Sequence, residues 1–184
     1  VYAQDQSFHP YRNGYVEETY FTFCYSAIRD DAGNINGIFC TVTETTKQVI
    51  GQRRLAMLRE LATAGTGAKT PTEAMKAAAR TLNPYDIPFA LFYQIDKSAN
   101  KAELVTATGL SYSSTEAPTS IVLTEDMGDN VCPFSLVLQH DEPQLVTDVV
   151  KRFGILPGGP WSESPDKAII LPIKTTNKKQ VEYL

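Results

Sequence analysis

The stretch Thr19-Tyr20-Phe21-Thr22-Phe23-Cys24-Tyr25-Ser26-Ala27-Ile28 decides how this chain is read. Phe21, Phe23, Tyr25 and Ala27 alternate with Thr22, Cys24 and Ser26. A period of two in aromatic and β-prone residues predicts a strand with one more apolar face. Arg29-Asp30-Asp31-Ala32-Gly33-Asn34 follows with turn chemistry, and Ile35 to Thr43 is again β-prone. The two runs predict a β-hairpin.

Outward from the hairpin the grammar becomes helical. Thr43-Glu44-Thr45-Thr46 offers several threonines as N-cap. From about 46 to 64, Ile50, Leu58, Leu61 and Ala62 recur at helical spacing, with Arg53, Arg59 and Glu60 elsewhere on the wheel. Gly65 and Gly67 end this helix. A helix of that length between two compact regions is a connector. Its residues Ile50, Leu58 and Leu61 are the candidates for pairing with a second copy of the chain.

Thr70-Pro71-Thr72-Glu73 predicts a second helix, with Thr70 as N-cap, Pro71 at the first helical position and Glu73 completing a capping box. Ala74, Ala77, Ala78 and Leu82 form its apolar face, and Asn83-Pro84 ends it. Pro88 to Asp96 reads as a buried strand, Lys97 to Asn100 as a turn and Ala102 to Thr108 as a second strand. Residues 111 to 118 read as a loop, Ser120 to Leu123 as a short strand, and Pro133 to Gln139 as a short helix. Gln144 to Asp148 and Lys167 to Ile173 read as strands around a Pro/Gly-rich loop, Gly154 to Asp166, which holds Trp161. Strands and helices mix without regular βαβ alternation, so the expected class is α+β with largely antiparallel sheets.

The 184 residues make one large domain or two small ones, and 42% hydrophobic residues are enough for a core. A net charge of -4 argues against nucleic acid or an anionic membrane as the main partner. No apolar run approaches the roughly 20 residues that span a bilayer. The opening Val1-Tyr2-Ala3-Gln4-Asp5 has neither the basic region nor the apolar stretch of a signal peptide, and both ends read as cut from something longer. Cys24, Cys40 and Cys132 are too few and too scattered for a disulfide framework, and they suit a reducing, cytoplasmic setting. No Cys-x-x-Cys pair supports zinc.

Two stretches resemble a known family. Arg12-Asn13-Gly14-Tyr15-Val16-Glu17-Glu18 running into Thr19 to Ser26, then Ile28-Arg29-Asp30, Gly33, Gly37-Ile38-Phe39-Cys40 and Thr43-Glu44-Thr45-Thr46, is similar to the last strands of the PAS domains of hybrid sensor histidine kinases. Arg54-Leu55-Ala56-Met57-Leu58-Arg59-Glu60-Leu61 resembles the helix that follows in that family. Thr70 to Ala74, Ile87 to Tyr93, and Pro160-Trp161 before Lys167 to Ile173 resemble parts of its GAF domain. The resemblance covers most of residues 12 to 174. It implies the end of a PAS domain over 1–46, a connecting signalling helix over 47–66 and an incomplete GAF domain over 67–184. It further implies a cytoplasmic sensory region of a two-component phosphorelay, with no catalysis by this chain, no cofactor, pairing into a homodimer through the helix, and an unidentified small-molecule ligand as a further partner. The rest of the kinase and the closing parts of both domains would lie outside the chain.

Other chemistry is weighed against this. A GAF relative that carries a bilin attaches it through a cysteine, which makes Cys132 the residue to watch for a chromophore-binding photosensor. Its neighbour is Pro133, and His140 lies eight positions on, so a small buried or loop residue is the simpler reading. A small α+β enzyme using Cys132 or His140 is the other alternative. His140-Asp141-Glu142 supplies a base and acids only as sequence neighbours, which do not converge as a triad must. Cys24 and Cys40 lie on facing strands of the predicted hairpin and read as two thiols. Glu17 and Glu18 beside Arg12 read as an ion pair or solvated edge, and Phe89, Phe92, Tyr93 and Trp161 as core ahead of pocket lining.

Overall fold

The computed structural model describes residues 1–96, 98–123 and 134–174, and the backbone of 182–183. The chain divides into two compact units, Val1–Leu58 and Arg59–Leu184. It mixes helices with antiparallel strands, as the α+β pattern predicts.

The first unit opens with β1 (Tyr2–Phe8) and a small hairpin of β2 (Tyr11–Arg12) and β3 (Tyr15–Val16). The predicted hairpin follows as β4 (Thr19–Arg29) and β5 (Ile35–Glu44). In the turn, Asp30 accepts hydrogen bonds from the amides of Ala32 (3.0 Å) and Asn34 (2.8 Å) through Oδ1. The sheet order is β1-β4-β5, all antiparallel. Register places Phe23 opposite Val42, Tyr25 opposite Cys40 and Ala27 opposite Ile38. These side chains therefore share one face with Phe21. Phe8 of β1 joins them, with its ring 5.8 Å from Phe21 and 6.3 Å from Phe23. Phe23 and Tyr25 meet edge to face at 5.5 Å. The opposite face carries Tyr20, Thr22, Cys24 and Ser26, with Thr41 and Thr43.

The long helix, α1, runs Thr46–Thr66, and the division between the two units falls inside it. None of its residues is fully buried.

The second unit begins with α2 (Pro71–Thr81). Thr70 is its N-cap and accepts from the Glu73 amide at 3.2 Å. Glu73 reaches back through Oε2 to the amide of Lys69 at 2.8 Å, one residue before the cap. A four-stranded sheet is ordered β11-β6-β7-β8, from β6 (Ala90–Asp96), β7 (Lys101–Thr108), β8 (Ser120–Val122) and β11 (Glu182–Tyr183). Between β8 and β11 come α3 (Phe134–His140), β9 (Gln144–Val146), α4 (Val149–Phe153) and β10 (Ala168–Ile170). β9 and β10 pair antiparallel.

The core gathers on one face of β6 and β7. Tyr93, Ile95, Ala102 and Leu104 pack with Ala117, Leu123 and, from α3, Phe134 and Val137. The Tyr93 ring meets Phe134 edge to face at 5.5 Å, and its hydroxyl donates to the Pro118 carbonyl at 2.8 Å. A second cluster joins Val146, Val149 and Leu156 with Phe89, Phe153 and Ala168. Gly109 closes β7 at φ +75°, where a Cβ would stand 2.0 Å from the Pro88 carbonyl oxygen. Only glycine fits that approach.

Candidate site where the first sheet meets the long helix

The most ordered polar chemistry of the first unit lies where β4 and β5 deliver the chain into α1. The carbonyl of Tyr20 accepts from the Thr45 amide at 2.8 Å, and the Tyr20 amide donates to Thr46 Oγ1 at 2.9 Å. The β4–β5 ladder thus continues into the first helical residue. The Thr45 carbonyl accepts from Val49 at 3.0 Å, which starts the helix. Its hydroxyl is turned the other way and donates to Asp5 Oδ1 at 2.7 Å.

Asp5 is unusual in itself. It holds a positive φ of 49° where the β1–β4 register shifts between Ala3 and Gln6. A short polar side chain tolerates that conformation better than a branched one. The Asp5 amide donates to Thr22 Oγ1 at 3.1 Å. Its carboxylate oxygen Oδ1 accepts from Thr22 Oγ1 at 3.3 Å as well as from Thr45, so one carboxylate ties β1 to β4 and to the residue just before α1.

Glu18 and Arg53 form the second tie. Arg53 Nη1 lies 2.5 Å from Glu18 Oε1, and Nη2 lies 3.0 Å from Oε2. The fork is bidentate, and its side chains are only 16% and 10% exposed. The Tyr20 hydroxyl donates to the same Glu18 at 2.8 Å. Burial, then the hydrogen bond to Glu18, raises the Tyr20 pKa above its ordinary value of 10.0. The neighbouring Glu17 behaves differently. It pairs with Arg12 and accepts from Asn13 Nδ2 at 2.6 Å, and Asn13 first, then Arg12, lower its pKa.

The residues singled out in the sequence fall as follows. Ile50 and Leu61 are half-buried on α1, and Leu58 is 59% exposed. Cys24 stands opposite Thr41, and Cys40 opposite Tyr25, so the two thiols project from opposite faces of the sheet and both are free. Cys132 lies outside the described residues. His140 ends α3 and is exposed, and the adjacent Asp141 pairs with Lys174. Tyr93 and Phe89 are core, Phe92 is half-buried, and Trp161 meets Tyr85 edge to face with ring centres 5.7 Å apart. An open groove of about 430 Å³ lies between α2 and β7, lined by Lys76, Arg80, Thr106 and Thr108 among others. None of the four aromatics lines it. No group of three or more metal-ligating side chains occurs among the described residues, and no helix there is long and apolar enough to cross a membrane.

The Glu18–Arg53 fork and the Asp5–Thr45 bond were not visible to sequence reasoning. Their members are 35 and 40 residues apart, and no local spacing couples them. The one available signal was a surplus glutamate beside Arg12, which can satisfy one of the pair and leaves the other to seek a cation. No protein-family model, curated protein or solved structure matches this chain.

Proposed function

We propose that this chain is the sensory and regulatory region of a two-component sensor histidine kinase. In this reading residues 1–46 supply the end of a PAS-type domain, 47–66 the connecting signalling helix and 67–184 an incomplete domain of GAF type, and the chain itself carries out no chemistry. The setting is cytoplasmic, and α1 pairs with its copy in a homodimer. The observation that supports it best is the bidentate Glu18–Arg53 fork, backed by Tyr20. It makes a rigid joint between the start of a sheet and the second turn of a long helix with no buried residue of its own. A shift of β4 on sensing a ligand or a partner would move Arg53, and with it the axis or register of α1. A helix with exposed apolar positions such as Leu58 converts that shift into a change of pairing.

Light scattering over a dilution series tests the pairing. The expected result is a reversible dimer that Leu58→Asp weakens tenfold or more. A chain that stays single at every concentration, or a dimer that Leu58→Asp leaves untouched, removes α1 as the pairing element.

A further inference from the structure

The joint at α1 has a second neighbour, the short hairpin of β2 and β3. Its two-residue turn, Asn13-Gly14, has φ of 56° and 89°, the left-handed pair that tight hairpins require. Tyr11 stands opposite Val16, and Arg12 opposite Tyr15. The Glu17 amide donates to the Pro10 carbonyl at 3.0 Å, and the Tyr11 hydroxyl to the Gly14 carbonyl at 2.9 Å. These bonds make the segment from Pro10 to Glu17 a stiff arm.

The arm grips the chain at both places that lead toward the helix. Asn13 Nδ2 donates to Glu17 Oε1 at 2.6 Å, and Arg12 Nε pairs with Oε2 of the same carboxylate. Glu17 is peptide-bonded to Glu18, the carboxylate of the Arg53 fork. On its other side the Arg12 guanidinium places Nη2 3.7 Å from Oε1 of Glu44, the last residue of β5. Only Thr45 separates Glu44 from α1. One guanidinium thus spans the approach to β4 and the end of β5, while Arg53 holds Glu18 from the helix. The Glu17 side chain is 15% exposed and that of Glu44 45%, so the grip on Glu17 is firm and the grip on Glu44 weak.

We propose that the β2–β3 hairpin is a regulatory arm for α1, with Arg12 as its positioning residue. Displacing the hairpin draws Arg12 off Glu44 first and carries Glu17 with it. That turns Glu18 away from Arg53 and frees the first turns of the helix. The arm rests on the reading of α1 as the transmitting helix. It acts wholly within Val1–Leu58 and does not depend on what α1 pairs with.

Amide exchange in the full chain tests the arm, read at Thr45 and Val49, whose amides close the joint and the first helical turn. Arg12→Ala should lower their protection by about threefold to fivefold, the weight of a partly exposed ion pair, although Arg12 bonds to neither. Asn13→Gly keeps the left-handed turn and removes only the bond to Glu17, so it should lower the same amides by about twofold. In an Arg53→Ala background, Arg12→Ala should add almost nothing at Thr45 and Val49, because the fork it acts through is gone. Losses confined to residues 11–17, or an Arg12→Ala loss of the same size with and without Arg53, overturn the proposal. The dimer measurement stands apart from this one. If Leu58→Asp leaves pairing untouched while Thr45 and Val49 respond to Arg12, the pairing element fails and the arm remains.

Discussion

The two units are built on antiparallel sheets of similar chemistry, yet they bury their residues very differently. Among the described residues, every fully buried hydrophobic side chain belongs to the second unit, from Met75 to Leu156. The first unit has one fully buried residue, Thr19, whose hydroxyl donates to the Phe8 carbonyl at 3.0 Å. Its aromatic face instead leaves Phe8, Tyr25, Ile38 and Val42 exposed. Alternation assigns a residue to a face, but burial needs a second layer over that face. α3 and the loop residues Ala117 and Leu123 provide one for Tyr93 and Ile95. In the first unit the described residues hold together by strand pairing, edge-to-face rings and the polar joint at α1.

Substitutions in the two sheets should break the comparison most sharply. Ile95→Ala removes a side chain that is almost wholly enclosed and should destabilise the second unit by about 3 kcal/mol. Val42→Ala, the matching truncation in the first sheet, should cost about 0.5 kcal/mol, because most of the side chain is already in water. Urea unfolding followed by Trp161 emission reads the second unit, and amide exchange along β4 reads the first. Equal costs would mean that the exposed face is covered in solution.

The next largest effect concerns the joint. Arg53→Ala should lower the protection of β4 and of the start of α1 by about 2 kcal/mol, since it leaves a largely enclosed carboxylate without its cation. Glu18→Ala should cost a similar amount, and the double variant less than the sum. Additive losses would show that the two residues do not act as a pair.

The smallest effect is in pH. The folded-state pKa of Tyr20 lies above 10.0, so its contribution is fully present below about pH 10. That contribution is lost as pH rises through the folded value. The stability difference between the chain and Tyr20→Phe should therefore hold up to about pH 10 and narrow only above it, measured by denaturant unfolding. A gap that stays constant would remove the link between Tyr20 ionisation and the joint.

Much of the local structure was legible from residues alone. The Phe21-to-Ala27 alternation and the Asp30–Gly33 turn announce the β4–β5 hairpin, and Thr70-Pro71-Thr72-Glu73 announces the start of α2. β1 was hidden because Tyr-Ala-Gln-Asp-Gln-Ser-Phe has no clean period of two, and the shift at Asp5 breaks what period there is. α4 escaped notice because five residues beside a Pro/Gly-rich loop carry too little pattern to register. The relation of Cys24 to Cys40 needed the register, which the turn and the irregularity at Ile28 and Arg29 set between them. At the site, Leu58 and its neighbours were readable as helical positions. The fork and the Asp5 bond depend on strands brought together from distant parts of the chain.

The left-handed backbone of Asp5 has a consequence for how this position can vary. A replacement has to tolerate a φ of 49° and still accept from the hydroxyls of Thr22 and Thr45. Asparagine meets both demands, glycine only the first and glutamate only the second, so the alphabet open to this position is narrow.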